Sequence, residues 1–521
     1  MSATALPLRA DRYANKWPIA FAVTLGAVIE LIDTSIINVA LPHISANLGA
    51  TIEEVTWVSV GYILAAVIVL PMTGWLSAFF GRTRYYIGSI ILFTIASFLC
   101  GASRSLEVLV LCRIIQGVGG GALIATSQAI LYESFPPDEQ TLAAAIFGIG
   151  MMIGPAIGPT LGGIIVDRYD WPWIFYINIP IGFVATIMIL TFVKDPVHEH
   201  TAGRFDFVGF ALLAAGLGCL QFVLERGEHY DWFESNLIRW LTGTATVMLV
   251  SLIWWELHID QPMINLRLLK HRSLAAGCLA MGAVGLALYG SIFAVPLLTQ
   301  NLLGYDAATT GWVLFPGAVG SAIGMFGITR LPKNIDRRMI AATGALILVV
   351  AMFMHGQFTT MTGRQQLFWP IVLRGVGAGL MFVPLAASTV AGLKGPDMAQ
   401  GSAMFNLARQ LGGSFGLAWL ATQLTTATAV NRANLVTYIS STNPEVQRRL
   451  TMLTAAMQSR VGDPVLAARQ ARAILDRMVQ AQALILTYDQ LFRIVGVVIF
   501  CCLPLIFLQK KPSGGAPSDL H

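Results

Sequence analysis

The stretch IELIDTSIINVALP, residues 29–42, decides how the chain is read, because Glu30 and Asp33 interrupt an apolar run that begins at Trp17. A bilayer core of ~30 Å needs about 20 mostly apolar helical residues per crossing, and residues 17–41 meet that length. The two acids stand at i and i+3, which puts their Cβ atoms about 5–6 Å apart on one helix face. At 1.5 Å rise per residue they lie ~20 and ~24 Å from Trp17, past the midplane. Facing lipid, each would cost at least ~2.5 kcal/mol, so both are expected to face a bundle interior or a cavity. Desolvation and mutual repulsion favour a proton on at least one of them. A carboxyl that holds or loses a proton as solvent access changes is what proton coupling requires. The plainer alternative is a static polar anchor, with Asp33 hydrogen-bonding a broken helix and Glu30 at a wet cavity wall.

The rest of the chain extends this pattern. Apolar residues make up 55% of the 521 and charged residues 12%, about half the ~25% charged share of soluble domains. That composition predicts an all-α polytopic membrane protein with fourteen spans, at 17–41, 55–79, 85–103, 106–132, 140–165, 172–193, 205–225, 237–257, 274–299, 308–329, 339–356, 367–392, 399–426 and 487–508. Helices are preferred to a barrel because the runs are continuously apolar, whereas barrel strands alternate over about 10 residues. The first run exceeds the ~7–15 residues of a signal-peptide core, so it is expected to remain as a span. Cys100, Cys112, Cys219, Cys278, Cys501 and Cys502 fall within spans, with no metal-ligand spacing; they read as packing residues, and no metal or cofactor is expected. The net charge of +5 concentrates in alternate loops, which puts both termini in the cytoplasm. No basic cluster interleaved with aromatics suggests a nucleic-acid partner.

Two internal echoes suggest duplication, which is common in secondary transporters. RIIQGVGGGAL from Arg113 resembles LRGVGAGL from Leu373, and GWLSAFFGRTR (74–84) resembles GITRLPKNIDRR (327–338). The expected organisation is a cytoplasmic N-terminus (1–16), a six-helix bundle (17–193) and a cytoplasmic linker (194–204). An inserted helix pair (205–257) and a second cytoplasmic linker (258–273) follow. A second six-helix bundle (274–508) carries a long outer loop (427–486) and ends in a cytoplasmic tail (509–521). Within that loop, residues 464–486 are apolar at helical spacing and predict an amphipathic helix, either resting on the bundle or forming a docking surface.

Arg113 lies inside its apolar run and demands a carboxylate or several carbonyls, because arginine does not shed its charge. Arg374 and Arg409 pose the same demand. Asp489 and Arg493 are expected to pair at i, i+4. Span five carries GMMIGPAIGPTLGG, in which Gly150, Gly154, Gly158 and Gly162 make a smooth stripe, Gly163 follows, and Pro155 and Pro159 bend the helix. The stripe is expected to pack and flex where the two halves meet.

Together LIDTSIINVALP, GWLSAFFGR, RIIQGVGGG, the Gly/Pro stripe, WPWIFYINIPIG (171–182), DWF (231–233) and FNLARQLGGSFG (405–416) resemble the EmrB-type drug:proton antiporters with fourteen spans, a branch of the major facilitator superfamily. The resemblance runs over essentially the whole chain. It implies the major facilitator fold, two six-helix pseudo-repeats plus two inserted helices, in a bacterial inner membrane. It implies that Asp33 couples protons, that Arg113 takes part in proton transfer and that Gly150 to Gly163 control closure of an interface. It also implies that Gly74, Gly81 and Arg82 belong to a loop latching the inner side. The acid expected four residues after Gly74 is Ala78 here, so that latch must be made differently. Glu30 stands where the resemblance implies a neutral amide.

The function expected is proton-driven export of hydrophobic or amphipathic toxic compounds by alternating access, with the proton gradient as energy source. Asn38, Tyr62, Gln116, Phe293, Asn406 and Arg409 are the candidate cargo contacts. A periplasmic adaptor and an outer-membrane channel are implied partners. A narrow-substrate exporter of siderophores, fatty acids or amino acids is the alternative within transporters. A membrane enzyme or sensor is a remoter one, since no nucleophile–base pairing or nucleotide loop appears in the sequence.

Overall fold

The computed structural model describes residues 15–136, 139–193, 205–260, 262–331, 335–391, 393, 396–440 and 442–509. The linker expected at 194–204, and both terminal tails apart from a residue or two, lie outside that set. Among the described residues the regular structure is helical, with no strand. The face of the molecule on which the first helix begins is called the near face below, and the opposite one the far face.

The first half comprises α1 (Lys16–Leu48), the short α2 (Ile52–Val55), α3 (Trp57–Phe80), α4 (Arg82–Ala102), α5 (Leu106–Ser134), α6 (Gln140–Arg168), the short α7 (Trp173–Tyr176) and α8 (Asn178–Phe192). The inserted pair is α9 (Phe207–Arg226) and α10 (Asn236–His258). The second half comprises α11 (Arg272–Leu297), α12 (Ala307–Arg330), α13 (Arg337–His355), α14 (Arg364–Thr389), α15 (Pro396–Thr437), α16 (Pro444–Val461) and α17 (Pro464–Phe507). All fourteen expected spans fall on helices. Eleven described helices or helix pairs are long and apolar enough to cross a membrane. The expected spans 140–165, 274–299 and 399–426, on α6, α11 and α15, are not among those eleven.

Each half packs around one glycine-rich helix. In α5, side chains at Gly117 or Gly121 would run into α3 and one at Gly119 into α4; in α14, Gly375 and Gly379 press on α12 and Gly377 on α13. The same offset carries Gly154, which packs on α1, to Gly412, which packs on α11. The sequence echo is therefore a repeated packing scheme, in which removing Cβ atoms lets backbones approach closely.

The halves meet along two seams. On one, α6 packs against α12 and α14; on the other, α15 packs against α3 and α5. α9 lies along the second seam and touches both α3 and α15. Its buried Gln221 donates to Glu225 and to Ser414 Oγ, each within 2.9 Å, and Trp232 Nε1 donates to Thr422 Oγ1 at 2.8 Å.

Two expectations at the far face change. The loop 427–486 is a helical projection: α15 runs on to Thr437, α16 is a separate helix, and the amphipathic segment is the first half of α17, continuous with the last span. The α15 and α17 extensions are tied by Asn431 Nδ2 donating to Thr487 Oγ1 at 3.0 Å and by an Arg432–Asp476 pair at 2.6 Å. Asp489 and Arg493 form no close salt bridge; Arg493 Nη2 donates instead to the Gly356 carbonyl at 2.9 Å, because α13 ends beside it.

Candidate functional site

The centre of the first half is a buried polar network drawn from six helices. Asp33 and Arg113 are each 1% exposed, with Arg113 Nη1 2.5 Å from Asp33 Oδ2. The other carboxylate oxygen accepts from Gln116 Nε2 at 3.0 Å and Asn178 Nδ2 at 2.7 Å. Arg113 also donates to the Val58 carbonyl, at 3.0 Å from Nε, and to Gln116 Oε1, at 2.7 Å from Nη1. Its guanidinium also lies 4.3 Å from the Tyr62 ring centre and 5.7 Å from that of Phe175. Asn178 donates in addition to Ser97 Oγ, which donates to the Phe175 carbonyl. A buried charge survives only if paired and hydrogen-bonded, and here every strong group of the pair is answered.

Local sequence explains the placement. The glycines after Arg113 thin α5 on the sides that meet α3 and α4: a Cβ on Gly120 would overlap the Tyr62 hydroxyl, and one on Gly117 the Tyr62 carbonyl. Without those side chains, Tyr62 closes over the guanidinium, and the cation meets an aromatic face in a dry setting, where such contacts strengthen.

Glu30, one turn before Asp33, is 8% exposed, and its Oε2 has no hydrogen-bond partner. Its charged neighbours are Asp33 and, from the second half, Arg409, and it lies beside the Tyr62 hydroxyl. Glu30 thus faces across the halves, whereas Asp33 is held entirely within the first. One turn from Arg409 on α15, Asn406 donates to Gln128 Oε1 of α5 at 2.7 Å.

The other predicted residues divide. Gln116 and Asn406, expected to meet cargo, are 0% and 1% exposed and engaged in these networks. Tyr62 is likewise buried; Asn38 is exposed and Phe293 half-buried, and neither joins the polar network. The glycine stripe does not pack where expected. Gly150 meets Thr24 and Val28, Gly154 meets Leu31, Gly158 meets Ser35 and Gly162 meets Ile36, all on α1 of the same half, while Gly163 faces open space. The seam to the second half uses other faces of α6, with Gly148 against Met325 and Phe382, and Thr160 against Gly311. α6 continues unbroken through Pro155 and Pro159.

At the near face, Gly74 packs against the Gln400 side chain of α15, so this motif glycine does sit where the halves touch. Gln400 Oε1 also accepts from the Asn265 amide at 3.2 Å. Gly81, at φ +84°, makes a turn that L side chains rarely adopt, and it delivers Arg82 to Glu133 of α5. The missing acid at Ala78 is thus answered within the half by Glu133 and between the halves by Gly74 and Gln400. The sequence reading missed Asn178, Ser97, Gln128, Glu133 and Gln400. Asn178 and Gln128 carried a signal, since an amide inside an apolar run requires a partner.

Comparison with known proteins agrees with this architecture. The Major Facilitator Superfamily model matches residues 23–417. The chain is 33% identical to the multidrug export protein EmrB of Escherichia coli K12 over 504 residues, covering 96% of this chain and 97% of that one. It is 31% identical to the fatty acid resistance protein FarB of Neisseria gonorrhoeae, covering 95% and 97%. Among solved structures, the proton:xylose symporter XylE superposes with a TM-score of 0.57 at 12% identity, covering 94% of this chain and 96% of that one. The human organic anion transporter MFSD10 gives 0.56 at 16%, covering 93% and 99%.

Proposed function

This chain belongs to the major facilitator superfamily, a family of transporters rather than enzymes, and from that premise we propose that it is a proton-driven multidrug exporter in which the Asp33–Arg113 network carries the coupling. The observation that supports this most is that Arg113 keeps partners whichever state Asp33 is in. When Asp33 is charged, Arg113 neutralises it and two amides complete it. When Asp33 takes a proton, Arg113 still holds the Val58 carbonyl, Gln116 Oε1 and the Tyr62 ring. A proton on Asp33 then costs the ion pair but leaves Arg113 hydrogen-bonded, so the network is weakened without being stripped, and alternating access decides which side supplies the proton.

Cargo would be hydrophobic or amphipathic and would meet the region where Glu30 and Arg409 face each other between the halves. The near face is taken as cytoplasmic and the membrane as a bacterial inner membrane. The far-face projection of α15, α16 and α17 is the surface we assign to a periplasmic adaptor leading to an outer-membrane channel. A narrower reading, an exporter dedicated to one amphiphile class, draws on the similarity to FarB, which is named for fatty acid resistance. Export measured in inverted vesicles under an imposed pH gradient tests the main reading. Cargo accumulation that needs the gradient supports it, and absence of movement across a broad panel of compounds would sink it; accumulation of fatty acids alone favours the narrower one.

Glu30→Gln removes the ionisable carboxyl facing Arg409 while leaving the Asp33 network intact. Close charge pairs couple by ~1.5 kcal/mol or more, so the ratio of cationic to neutral cargo exported is expected to change by about tenfold, together with a displaced pH profile. An unchanged ratio and profile would reduce Glu30 to a packing residue.

A further inference from the structure

A large cavity lies away from the centre. It is a groove of about 1230 Å³ between α3, α4, α5 and the inserted α9, lined almost wholly by apolar side chains, and it exceeds the ~300–1,000 Å³ of a drug-sized site. Trp57 stands toward its far end, Val118 and Phe210 line its sides, and Gly88 opens onto it with no atom within 4 Å of where a Cβ would sit. Its polar features gather at the near face. Arg84 is exposed, and no described residue pairs with it. Beside it Tyr85 also lines the groove, its hydroxyl buried against Thr73 and Ser89. The inserted α9 borders the groove through Phe210.

We propose that the groove is a phospholipid site, with the acyl chains lying along the α3, α4 and α5 wall beside Phe210 and an anionic headgroup at Arg84. A long apolar slot with a cation at one mouth matches that chemistry and not that of a soluble metabolite. Arginine suits phosphate, and the leaflet on the positive side of a membrane protein is where anionic lipids are met. The lipid would lie beside α9, which grips the second half through Gln221 and Ser414. One lipid would then belong to the structure that spans the seam.

The test is lipid retention by the full chain, purified in neutral detergent and examined by native mass spectrometry after incubation with phosphatidylglycerol or phosphatidylcholine. The wild type is expected to keep one phospholipid and to prefer phosphatidylglycerol about fivefold, the scale of one basic side chain at a membrane surface. Arg84→Ala, at an exposed position, is expected to bind both lipids equally. Gly88→Leu, which adds bulk where there is room, is expected to lose the lipid. Undiminished retention in Gly88→Leu, or undiminished preference in Arg84→Ala, overturns the proposal. Displacement of the preference by inorganic phosphate, with Gly88→Leu unaffected, would assign a free-anion site instead. Binding is read without gradient or cargo, so the outcome is independent of whether the chain exports drugs.

Discussion

Asp33→Asn is expected to abolish gradient-driven export and to destabilise the protein, and adding Arg113→Gln is expected to reverse only the second effect. Removing one partner of a buried pair leaves the other charge uncompensated, at a cost of ~3–5 kcal/mol, whereas replacing both by neutral groups is often close to neutral. Asp33 and Arg113 are each 1% exposed, so solvent offers neither a substitute partner. Thermal unfolding in detergent reads stability and inverted vesicles under an imposed pH gradient read transport. Two structural amides, Gln116 and Asn178, remain to occupy the site in the double variant. If that variant still exported against a gradient, the pair would be a structural tie and the coupling would have to lie elsewhere, with Glu30 the next group to examine.

Gly158→Ala is expected to cost ~1–3 kcal/mol, the usual scale of overpacking, and to reduce transport with it. The added methyl would overlap the Ser35 hydroxyl and lie 2.8 Å from Ser35 Cβ, with the Ile36 amide nitrogen at 3.3 Å. Ser35→Ala cannot relieve this, because the Cβ conflict remains. Ser35→Gly removes it, so the exchanged pair Gly158→Ala with Ser35→Gly is expected to recover most of the loss. Equal unfolding temperatures for the single and exchanged variants would mean that α1 and α6 yield at this contact.

Much of the fold was legible because membrane insertion makes length and apolarity decisive: each expected span lies on a helix, and the glycine echo became a repeated packing scheme. That Arg113 needs a carboxylate or several carbonyls followed from its place in an apolar run, but that Asp33 answers it did not. The partners that complete it were not legible, since Asn178 and Ser97 are distant in sequence and only the folded bundle brings them to one carboxylate. The glycine stripe was visible but its partner was not: smoothness predicts close approach without saying to which helix, and the stripe packs within its own half. The far-face projection was read as a loop with one helix because polar composition marks exit from the membrane, not the end of a helix.

That projection gives α15 and α17 a mechanical meaning. At 1.5 Å per residue, their 42 and 44 residues make rods of about 60–65 Å, roughly twice the ~30 Å bilayer core. They are cross-braced by Asn431 with Thr487 and by Arg432 with Asp476. A rod anchored in a rocking body and stiff to its tip is a lever: a tilt of ~20°, within the range transmembrane helices show, swings a point 30 Å beyond the membrane by about 10 Å. If the second half reorients by such a tilt, its far end sweeps sideways, and each turnover would also be a stroke.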